Sequence, residues 1–191
     1  MSTLVTPELN YCSHCGAELL CYVPEGDLVE RSVCSECKLI HYQNPKILVG
    51  SIIECQDKIL LCKRASEPRL GYWTLPSGYM ENDETVLEAA IRETEEETKV
   101  SAKKMSLYAV FSCPNINQVY FIFRGGAEND CASTTQESSE TRYFNQQDIP
   151  WDLLSYSIMN KTIDWYFKDK QQGSYQFRML DVFECHSELD S

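Results

Sequence analysis

Three glutamates in the segment Arg92-Glu93-Thr94-Glu95-Glu96-Glu97 have the residue type and spacing of a site for hard metal cations. On a helix, Glu93, Glu96 and Glu97 share a face, because side chains three and four residues apart are neighbours. Like charges at this spacing repel each other unless a cation compensates them. Mg²⁺ and Mn²⁺ take carboxylate oxygens and keep several waters, which leaves room for phosphate oxygens. The alternative is a solvated helix face, the commoner meaning of a glutamate-rich helix.

Four cysteines near the N-terminus have the spacing of a structural zinc site. Cys12-Ser-His-Cys15 and Cys34-Ser-Glu-Cys37 each place two residues between the thiols. Two such turns can present four thiolates tetrahedrally to one Zn²⁺. All four zinc ligands would then be cysteine side chains, as in a structural zinc site. We predict a zinc ribbon over residues 1–42, with a positive φ at Gly16 and a hairpin within residues 21–33. The alternative is four reduced, unligated cysteines, but so short a segment would need the metal to fold.

The elements that must position the glutamates are predicted from apolar periodicity and turn residues. Strands are expected at residues 46–55, 58–64, 73–75, 106–113, 118–124 and 141–146, and helices at residues 83–98 and 156–170. Residues 125–140 are expected to be a polar loop, and residues 178–191 have no clear pattern. This order indicates an α/β protein with a mixed sheet.

The two helices differ in what their faces are expected to do. The first is predicted to be capped by Asn82 or Asp83, with Arg92 bracing Glu84 and Glu88. Its buried stripe, on a face distinct from that of the glutamates, is predicted to be Leu87, Ala90, Ile91 and Thr94. The second helix is predicted to bury Ile158, Met159, Thr162, Ile163 and Tyr166 as core.

Composition limits the class of protein. A chain of 191 residues suits one medium domain with a small appendage. The sequence has neither an apolar run of about 18 residues nor a basic start followed by an apolar block, so we expect neither a membrane span nor a secretory signal. Without a secretory signal, the ten cysteines are not expected to form a disulfide framework, and we expect a cytoplasmic protein. The net charge of −12 argues against a broad basic surface for nucleic acid.

The spacing Gly78-x5-Glu84-x7-Arg92-Glu93-x2-Glu96-Glu97 resembles the Nudix box, the signature of Nudix hydrolases. Thr94 and Lys99 stand where that pattern usually has an aliphatic residue and a glycine. The resemblance implies a Nudix α/β/α sandwich with a mixed sheet over residues 43–177, followed by a tail at residues 178–191. Together with the cysteine pairs, the segments HYQNPKILVGSII and DIPWDLLSYSI are similar to a zinc-ribbon branch that hydrolyses FAD, ADP-ribose and related dinucleotides.

The reaction implied by this resemblance is attack of water on the diphosphate bridge of a dinucleotide, with Mg²⁺ or Mn²⁺ bound and AMP released. FAD or ADP-ribose is the expected substrate, and NADH and CoA are the alternatives. A second zinc-ribbon branch that cleaves NADH carries a Ser-Gln-Pro-Trp-Pro-Phe-Pro motif after the box, which this sequence lacks. A nucleotide-sensing module without catalysis is a further alternative, and a homodimer is expected because relatives commonly form one.

The resemblance also implies roles for individual residues. Glu93, Glu96 and Glu97 would bind the catalytic metal, with the Gly78 carbonyl as an added ligand, while Glu84 and Arg92 position loop and helix. The general base is left open between a box glutamate and two loop glutamates, Glu137 and Glu140, either of which could be an ordinary solvated acid. Substrate binding is assigned to Arg64, Arg69, Tyr72, Trp73 and Tyr79, with surface salt bridges or, for Trp73, the core as alternatives.

Overall fold

The computed structural model describes residues 9–127 and 132–183 of the chain. The chain divides into two compact units, one before and one after the Pro45–Lys46 junction. Neither helix in the described ranges has the length and apolar character that a membrane crossing requires.

The first unit is built on a three-stranded antiparallel sheet. Its strands are β1 (Leu19–Tyr22), β2 (Arg31–Cys34) and β3 (Ile40–His41), in that order. β1 and β2 form the predicted hairpin, with Tyr22 opposite Arg31. Gly16 adopts a φ of 77°, which confirms the predicted left-handed turn after the first cysteine pair.

The second unit contains an eight-stranded mixed sheet and two helices. The strands are β4 (Lys46–Cys55), β5 (Lys58–Arg64), β6 (Trp73–Thr74), β7 (Ser77–Tyr79), β8 (Ala102–Cys113), β9 (Gln118–Ala127), β10 (Ser138–Phe144) and β11 (Arg178–Asp181). The helices are α1 (Val86–Thr98) and α2 (Ser157–Gln172), and short 3-10 turns lie at Pro114–Ile116, Gln146–Asp148 and Trp151–Leu153. The main path of the sheet is β10-β5-β4-β9-β8-β11, with β6 on β5 and β7 on β4. The predicted α/β class with a mixed sheet is therefore confirmed.

Strand β4 pairs with two different strands along one edge, and the second of these, β7, contains Gly78, the first residue of the Nudix-box pattern. Near its C-terminal end β4 pairs with β5 across the predicted Gln56-Asp57 turn, with Glu54 opposite Ile59. Its N-terminal half pairs instead with β7, where Val49 lies opposite Gly78. The segment that leads into α1 is therefore anchored to the sheet by strand hydrogen bonds.

Helices α1 and α2 pack on opposite faces of the sheet. Side chains of a strand alternate between its faces, and along β9 Tyr120 and Ile122 join the core cluster that contains the apolar stripe of α2. Phe123 instead joins Ala89 and Ala90 of α1 in a second cluster. All five residues predicted for the α2 stripe are buried, which confirms that prediction. The result is the expected α/β/α sandwich.

The predicted start of α1 was wrong, and its predicted buried stripe is confirmed only for Ala90 and Thr94. The helix begins after Thr85, whose side chain accepts a hydrogen bond from the Glu88 amide at 3.2 Å. The Glu88 carboxylate accepts one in return from the Thr85 amide at 2.8 Å, which completes a capping box. Leu87 is 38% exposed. The buried residues of the helix are Ala89, Ala90, Glu93, Thr94, Glu97 and Thr98.

The segment without a clear pattern at residues 178–191 contains an ordered strand. β11 pairs in parallel with β8, with Arg178 opposite Ala109. Arg178 donates to both carboxylate oxygens of buried Asp169 at 2.6 and 2.5 Å, and the Tyr108 hydroxyl donates to the same carboxylate at 2.8 Å. Because this strand has four residues and its anchor is in α2, local periodicity could not reveal it. Residues 184–191 lie outside the described residues.

The predicted polar loop at residues 125–140 is shorter than expected. β9 continues to Ala127, and β10 already begins at Ser138. Residues 128–131 lie outside the described residues.

Candidate active site

Arg92 connects α1 to the loop that precedes it. Its Nε and Nη2 donate to the two carboxylate oxygens of Glu84 at 3.0 and 2.7 Å, and Nη2 also donates to the Tyr79 carbonyl at 3.1 Å. This guanidinium holds the pKa of Glu84 down at about 2. The predicted contact with Glu84 is present, whereas the Glu88 carboxylate is used in the capping box with Thr85.

The same guanidinium reaches two of the three glutamates. Arg92 Nη1 donates to Glu93 at 2.8 Å and to Glu96 at 2.9 Å. Since one positive charge is shared with Glu84 as well, it cannot neutralise all of the acidic groups on this part of α1. The Glu96 side chain is 52% exposed, so water also stabilises its charge.

Glu97 lies on the buried face of α1, pointing back into the sheet. Its Oε2 accepts hydrogen bonds from the Ser77 amide at 2.9 Å and from the Cys62 thiol at 3.4 Å. Burial, helped by the charges of Glu93 and Glu137, raises the pKa of Glu97 to about 7, although the hydrogen bonds from Ser77 and Cys62 oppose this shift. Burial also raises the pKa of the Cys62 thiol, so the thiol is protonated and can donate.

No pattern in the sequence indicated Cys62 as a site residue, because it precedes Glu97 by 35 residues and belongs to no cysteine pair.

Glu93 is the second buried carboxylate of the site. It is 8% exposed, and burial raises its pKa although Arg92 opposes the shift. A side chain on Gly78 would overlap the Glu93 carboxylate. The glycine is therefore required by close approach, in addition to the carbonyl-ligand role that the family resemblance implies.

The structure separates the two loop glutamates considered as general base. Glu137 lines a cavity of about 330 Å³ together with Glu96, Lys99, Thr135 and Gln136. Thr135 ties this loop to α1, because its hydroxyl donates to the Glu97 carbonyl at 3.4 Å. Glu140 lies on β10 opposite Lys63, with which it forms an ion pair at 3.8 Å.

Two of the three aromatic residues predicted to bind substrate lie in contrasting environments. Trp73 is buried, and its ring packs edge-to-face on Phe144 with centroids 4.9 Å apart, which favours a place in the core. Tyr79 is 48% exposed, and its hydroxyl accepts a hydrogen bond from Gln118 at 3.3 Å. Lys46 Nζ lies 5.4 Å from the centre of the Tyr79 ring.

Arg69 and Tyr72 lie in the loop that follows β5, and Arg64 is the last residue of that strand. Arg64 and Tyr72 face each other across the base of this loop, where the Arg64 amide donates to the Tyr72 carbonyl at 2.9 Å. The Arg64 guanidinium donates to the Pro68 carbonyl at 2.8 Å, and that of Arg69 lies 5.5 Å from the Tyr72 ring centre. The loop thus holds both guanidinium groups in defined positions.

The cysteines of the first unit fit a zinc ion. The Sγ atoms of Cys12, Cys15, Cys34 and Cys37 all lie within 4.8 Å of one another. Backbone amides of His14 and Cys37 donate to Cys12 and Cys34 at 3.4 and 3.3 Å, as suits thiolate ligands. His41 Nε2 lies 3.3 Å from Cys12 Sγ, a contact that the sequence did not suggest. A four-thiolate donor set is typical of structural zinc.

The glutamates fit a hard cation by their chemistry. In the described ranges, the four cysteines bring their ligand atoms to within 4.8 Å of one another. The carboxylate oxygens of the three glutamates do not come together as a group in this way. Glu93 and Glu97 are nevertheless buried acids whose charged forms burial disfavours. Oxygen ligands with excess negative charge suit Mg²⁺ or Mn²⁺, and metal binding by these residues stays a prediction.

Two family models match the chain. The model described as NUDIX domain matches residues 45–166, and the Nudix N-terminal zinc-ribbon model matches residues 10–43. The chain is also similar to a crystal structure of a NUDIX hydrolase from Nitrosomonas europaea, with a TM-score of 0.88 and 41% identity. That similarity covers 92% of this chain and 100% of the other.

Two curated relatives extend the comparison. An ADP-ribose pyrophosphatase of Methanocaldococcus jannaschii is 35% identical over 116 residues, which are 57% of this chain and 67% of that protein. The NAD-capped RNA hydrolase NudC of Photorhabdus laumondii is 33% identical over 162 residues, 84% of this chain and 52% of that protein. The chain thus spans about two thirds of one relative and half of the other. Since the NUDIX domain model alone covers more than half of the chain, the protein belongs to the Nudix hydrolase family.

Proposed function

We propose that this protein is a divalent-metal-dependent pyrophosphohydrolase that cleaves the diphosphate bridge of ADP-ribose or FAD and releases AMP. The observation that carries the proposal is the pair of buried carboxylates, Glu93 against Gly78 and Glu97 against the Ser77 amide, with incomplete charge compensation. The similarity to an archaeal ADP-ribose pyrophosphatase supports this substrate class.

Glu93, Glu96 and Glu97 would hold Mg²⁺ or Mn²⁺, with the Gly78 carbonyl as a further ligand. The bound ion would neutralise the diphosphate and activate water. The contribution of the chain is to fix the ligands. Ser77 holds Glu97 through its amide, and Arg92 holds Glu93 and Glu96 while its contact with Glu84 locks the loop.

For the residue that orients or deprotonates water, we favour Glu137 over Glu140. Glu137 lines a cavity with Glu96 and lies close enough for its charge to raise the pKa of both buried glutamates. Glu140 is instead paired with Lys63. A general base must come within hydrogen-bonding reach of the attacking water, and the loop that carries Glu137 is tied to α1 through Thr135.

Substrate binding is proposed for the exposed groups around the box. Tyr79 offers an accessible ring next to Gly78 for a flat base or flavin. Arg64 at the end of β5 and Arg69 in the loop that follows, beside Tyr72, have guanidinium groups that suit phosphate oxygens. Buried Trp73, which packs on Phe144, is proposed as a core residue next to this loop rather than a direct substrate contact.

NADH is the second candidate substrate, because the chain is 33% identical to an NAD-capped RNA hydrolase. The expectations from the sequence also include CoA as a substrate and a nucleotide-sensing role without catalysis, and the experiment below tests both. A homodimer and a cytoplasmic location remain predictions from the sequence.

The proposal is tested by incubating the purified protein with ADP-ribose, FAD, NADH and CoA, each with Mg²⁺ or Mn²⁺, and separating the products. We expect AMP from ADP-ribose or FAD, and loss of that product in Glu97→Gln. Glu95→Gln is the matched control, because Glu95 is an exposed glutamate on the same helix. Nucleotide binding without cleavage of any of the four would reject the enzyme in favour of the sensor.

A further inference from the structure

The Cys62 thiol and the Glu97 carboxylate meet in the interior of the second unit. Cys62 is 1% exposed and Glu97 is 7% exposed, and Cys62 Sγ lies 3.4 Å from Glu97 Oε2. In the ionised form that would bind a metal, the Glu97 carboxylate can only accept hydrogen bonds, so the thiol is the donor. The contact joins β5, where Cys62 lies, to the last turn of α1.

The thiol proton has two acceptors within reach, and the carboxylate is the better one. The Thr74 carbonyl lies 3.6 Å from Cys62 Sγ, farther away than Glu97 Oε2. Hydrogen bonds to a charged acceptor are also stronger than those to a neutral carbonyl. The thiol therefore donates to the Glu97 carboxylate, and the Thr74 carbonyl is the weaker alternative acceptor.

Both described donors to Glu97 approach the same oxygen. The Ser77 amide lies 2.9 Å from Oε2, the atom that also accepts from Cys62. Within the described ranges, no protein donor approaches Oε1. Two donors on one oxygen fix the rotation of the carboxylate and leave the other oxygen available to a ligand.

We infer that Cys62 is a positioning residue for the proposed hydrolysis, which holds Glu97 Oε2 through its thiol and leaves Oε1 available to bind the metal. The inference rests on the proposed function for its catalytic meaning and on the buried S–H···O contact for its geometry. Donors that hold a metal ligand in this way typically change metal affinity or activity by about 10- to 100-fold when they are removed.

Three variants separate positioning from packing. Cys62→Ala removes the donor and leaves a small void, whereas Cys62→Ser keeps a hydroxyl donor at the same place. Ile59→Val is the matched control, since Ile59 is a fully buried residue of β5 that belongs to the α2-side core. It deletes a comparable volume from the same strand without a contact to Glu97.

For each variant we would measure kcat and KM with ADP-ribose, the affinity for Mn²⁺ by calorimetry, and the carboxyl ¹³C resonance of Glu97. In Cys62→Ala we expect kcat and Mn²⁺ affinity to fall by about 10-fold or more, with KM little changed and the Glu97 resonance shifted. Cys62→Ser should restore most of these values, and Ile59→Val should resemble the wild type in all of them.

The inference is overturned if Cys62→Ala and Ile59→Val give the same Mn²⁺ affinity and the same Glu97 resonance. It is also overturned if Cys62→Ser fails to restore what Cys62→Ala loses. Because the carboxyl resonance needs neither metal nor substrate, it tests the contact even if the protein cleaves none of the four dinucleotides. Failure to cleave any of the four nucleotides would reject the proposed function and leave the inferred contact to be judged by the resonance.

Discussion

The Glu93 carboxylate fills the space that a side chain at Gly78 would occupy. All the atoms that a Cβ at this position would meet first belong to the Glu93 carboxyl group. Gly78 pairs with Val49 in the sheet, so the backbone at this point cannot retreat without breaking strand hydrogen bonds. Glycine at this position therefore permits a buried carboxylate to lie directly against β7.

From this relationship we expect Gly78→Ala to displace Glu93 and to abolish most of the proposed activity. The methyl group would push the carboxylate away from Arg92, to which it is bound at 2.8 Å. Gly126→Ala is the control, because a Cβ there would meet only the Glu54 carbonyl, at 3.8 Å. The rate of AMP release from ADP-ribose measures the effect, and equal activity of the two variants would contradict it.

We expect Arg92→Lys to destabilise the protein, although it keeps the positive charge. Lysine cannot reproduce the paired hydrogen bonds to Glu84 together with the bonds to Glu93 and the Tyr79 carbonyl. Loss of hydrogen bonds to charged partners should lower the free energy of unfolding by about 1–3 kcal/mol. Urea denaturation measures this change.

Arg142→Lys is the control for that experiment, since Arg142 is exposed on β10. Its substitution should leave the midpoint of denaturation nearly unchanged. If Arg92→Lys were as stable as Arg142→Lys, Arg92 would be a replaceable surface charge.

Much of the fold could be predicted from the sequence where a pattern is local. The cysteine pairs, the Gln56-Asp57 hairpin and the apolar stripe of α2 each depend on residues close together in the chain. The buried face of α1 could not be predicted in this way. Periodicity assigns glutamates to the surface, but Glu97 is satisfied inside by Ser77 and Cys62, whose places follow from the pairing of strands.

The same reason explains why β11 and the His41 contact were not predicted. A four-residue strand at a sheet edge has too few positions for a pattern, and its anchor Asp169 is on α2. His41 reaches Cys12 only because β3 pairs with β2. Contacts between distant segments are fixed by tertiary structure, and single-sequence patterns do not report them.

We expect the first unit to contain one Zn²⁺ and to lose it in Cys15→Ser. Removal of one of four thiolates leaves an incomplete tetrahedral site, and so small a sheet depends on the metal for its stability. Cys21→Ser is the matched control, because Cys21 is an exposed cysteine on β1 outside the cluster. Zinc content by atomic emission should be about one per chain in the wild type and the control. A full complement of zinc in Cys15→Ser would contradict the assignment.

We expect Lys99→Gly to stabilise the protein. Lys99 ends α1 with a φ of 60°, a left-handed conformation that favours glycine over residues with a side chain. Relief of this strain should raise the free energy of unfolding by about 1 kcal/mol, as measured by urea denaturation. Lys103→Gly, on strand β8, should instead lower it. A loss of stability in Lys99→Gly would show that the lysine charge at the helix C-terminus outweighs the strain.

The raised pKa of Glu97 predicts how stability depends on pH when no Mg²⁺ or Mn²⁺ is added. Its pKa is about 7 in the folded protein, compared with an ordinary value of 4.5. Between these two values the unfolded chain has lost the Glu97 proton while the folded protein keeps it. Stability falls with rising pH wherever the unfolded state binds fewer protons. The contribution of Glu97 is therefore fully present below about pH 4.5 and is lost as pH rises through about 7.

We therefore expect the wild type to lose more stability between pH 5 and pH 8 than Glu97→Gln does, because glutamine does not titrate. Glu93 and Glu137, whose charges act on Glu97, are present in both proteins, so the difference between the two slopes reports Glu97 together with its coupling to them. Urea denaturation at several pH values provides the measurement, with Glu95→Gln as a control that should keep the wild-type slope. Added Mn²⁺ should reduce the loss in the wild type, because a bound cation favours the ionised carboxylate. Identical slopes for wild type and Glu97→Gln would mean that Glu97 is already ionised at pH 5.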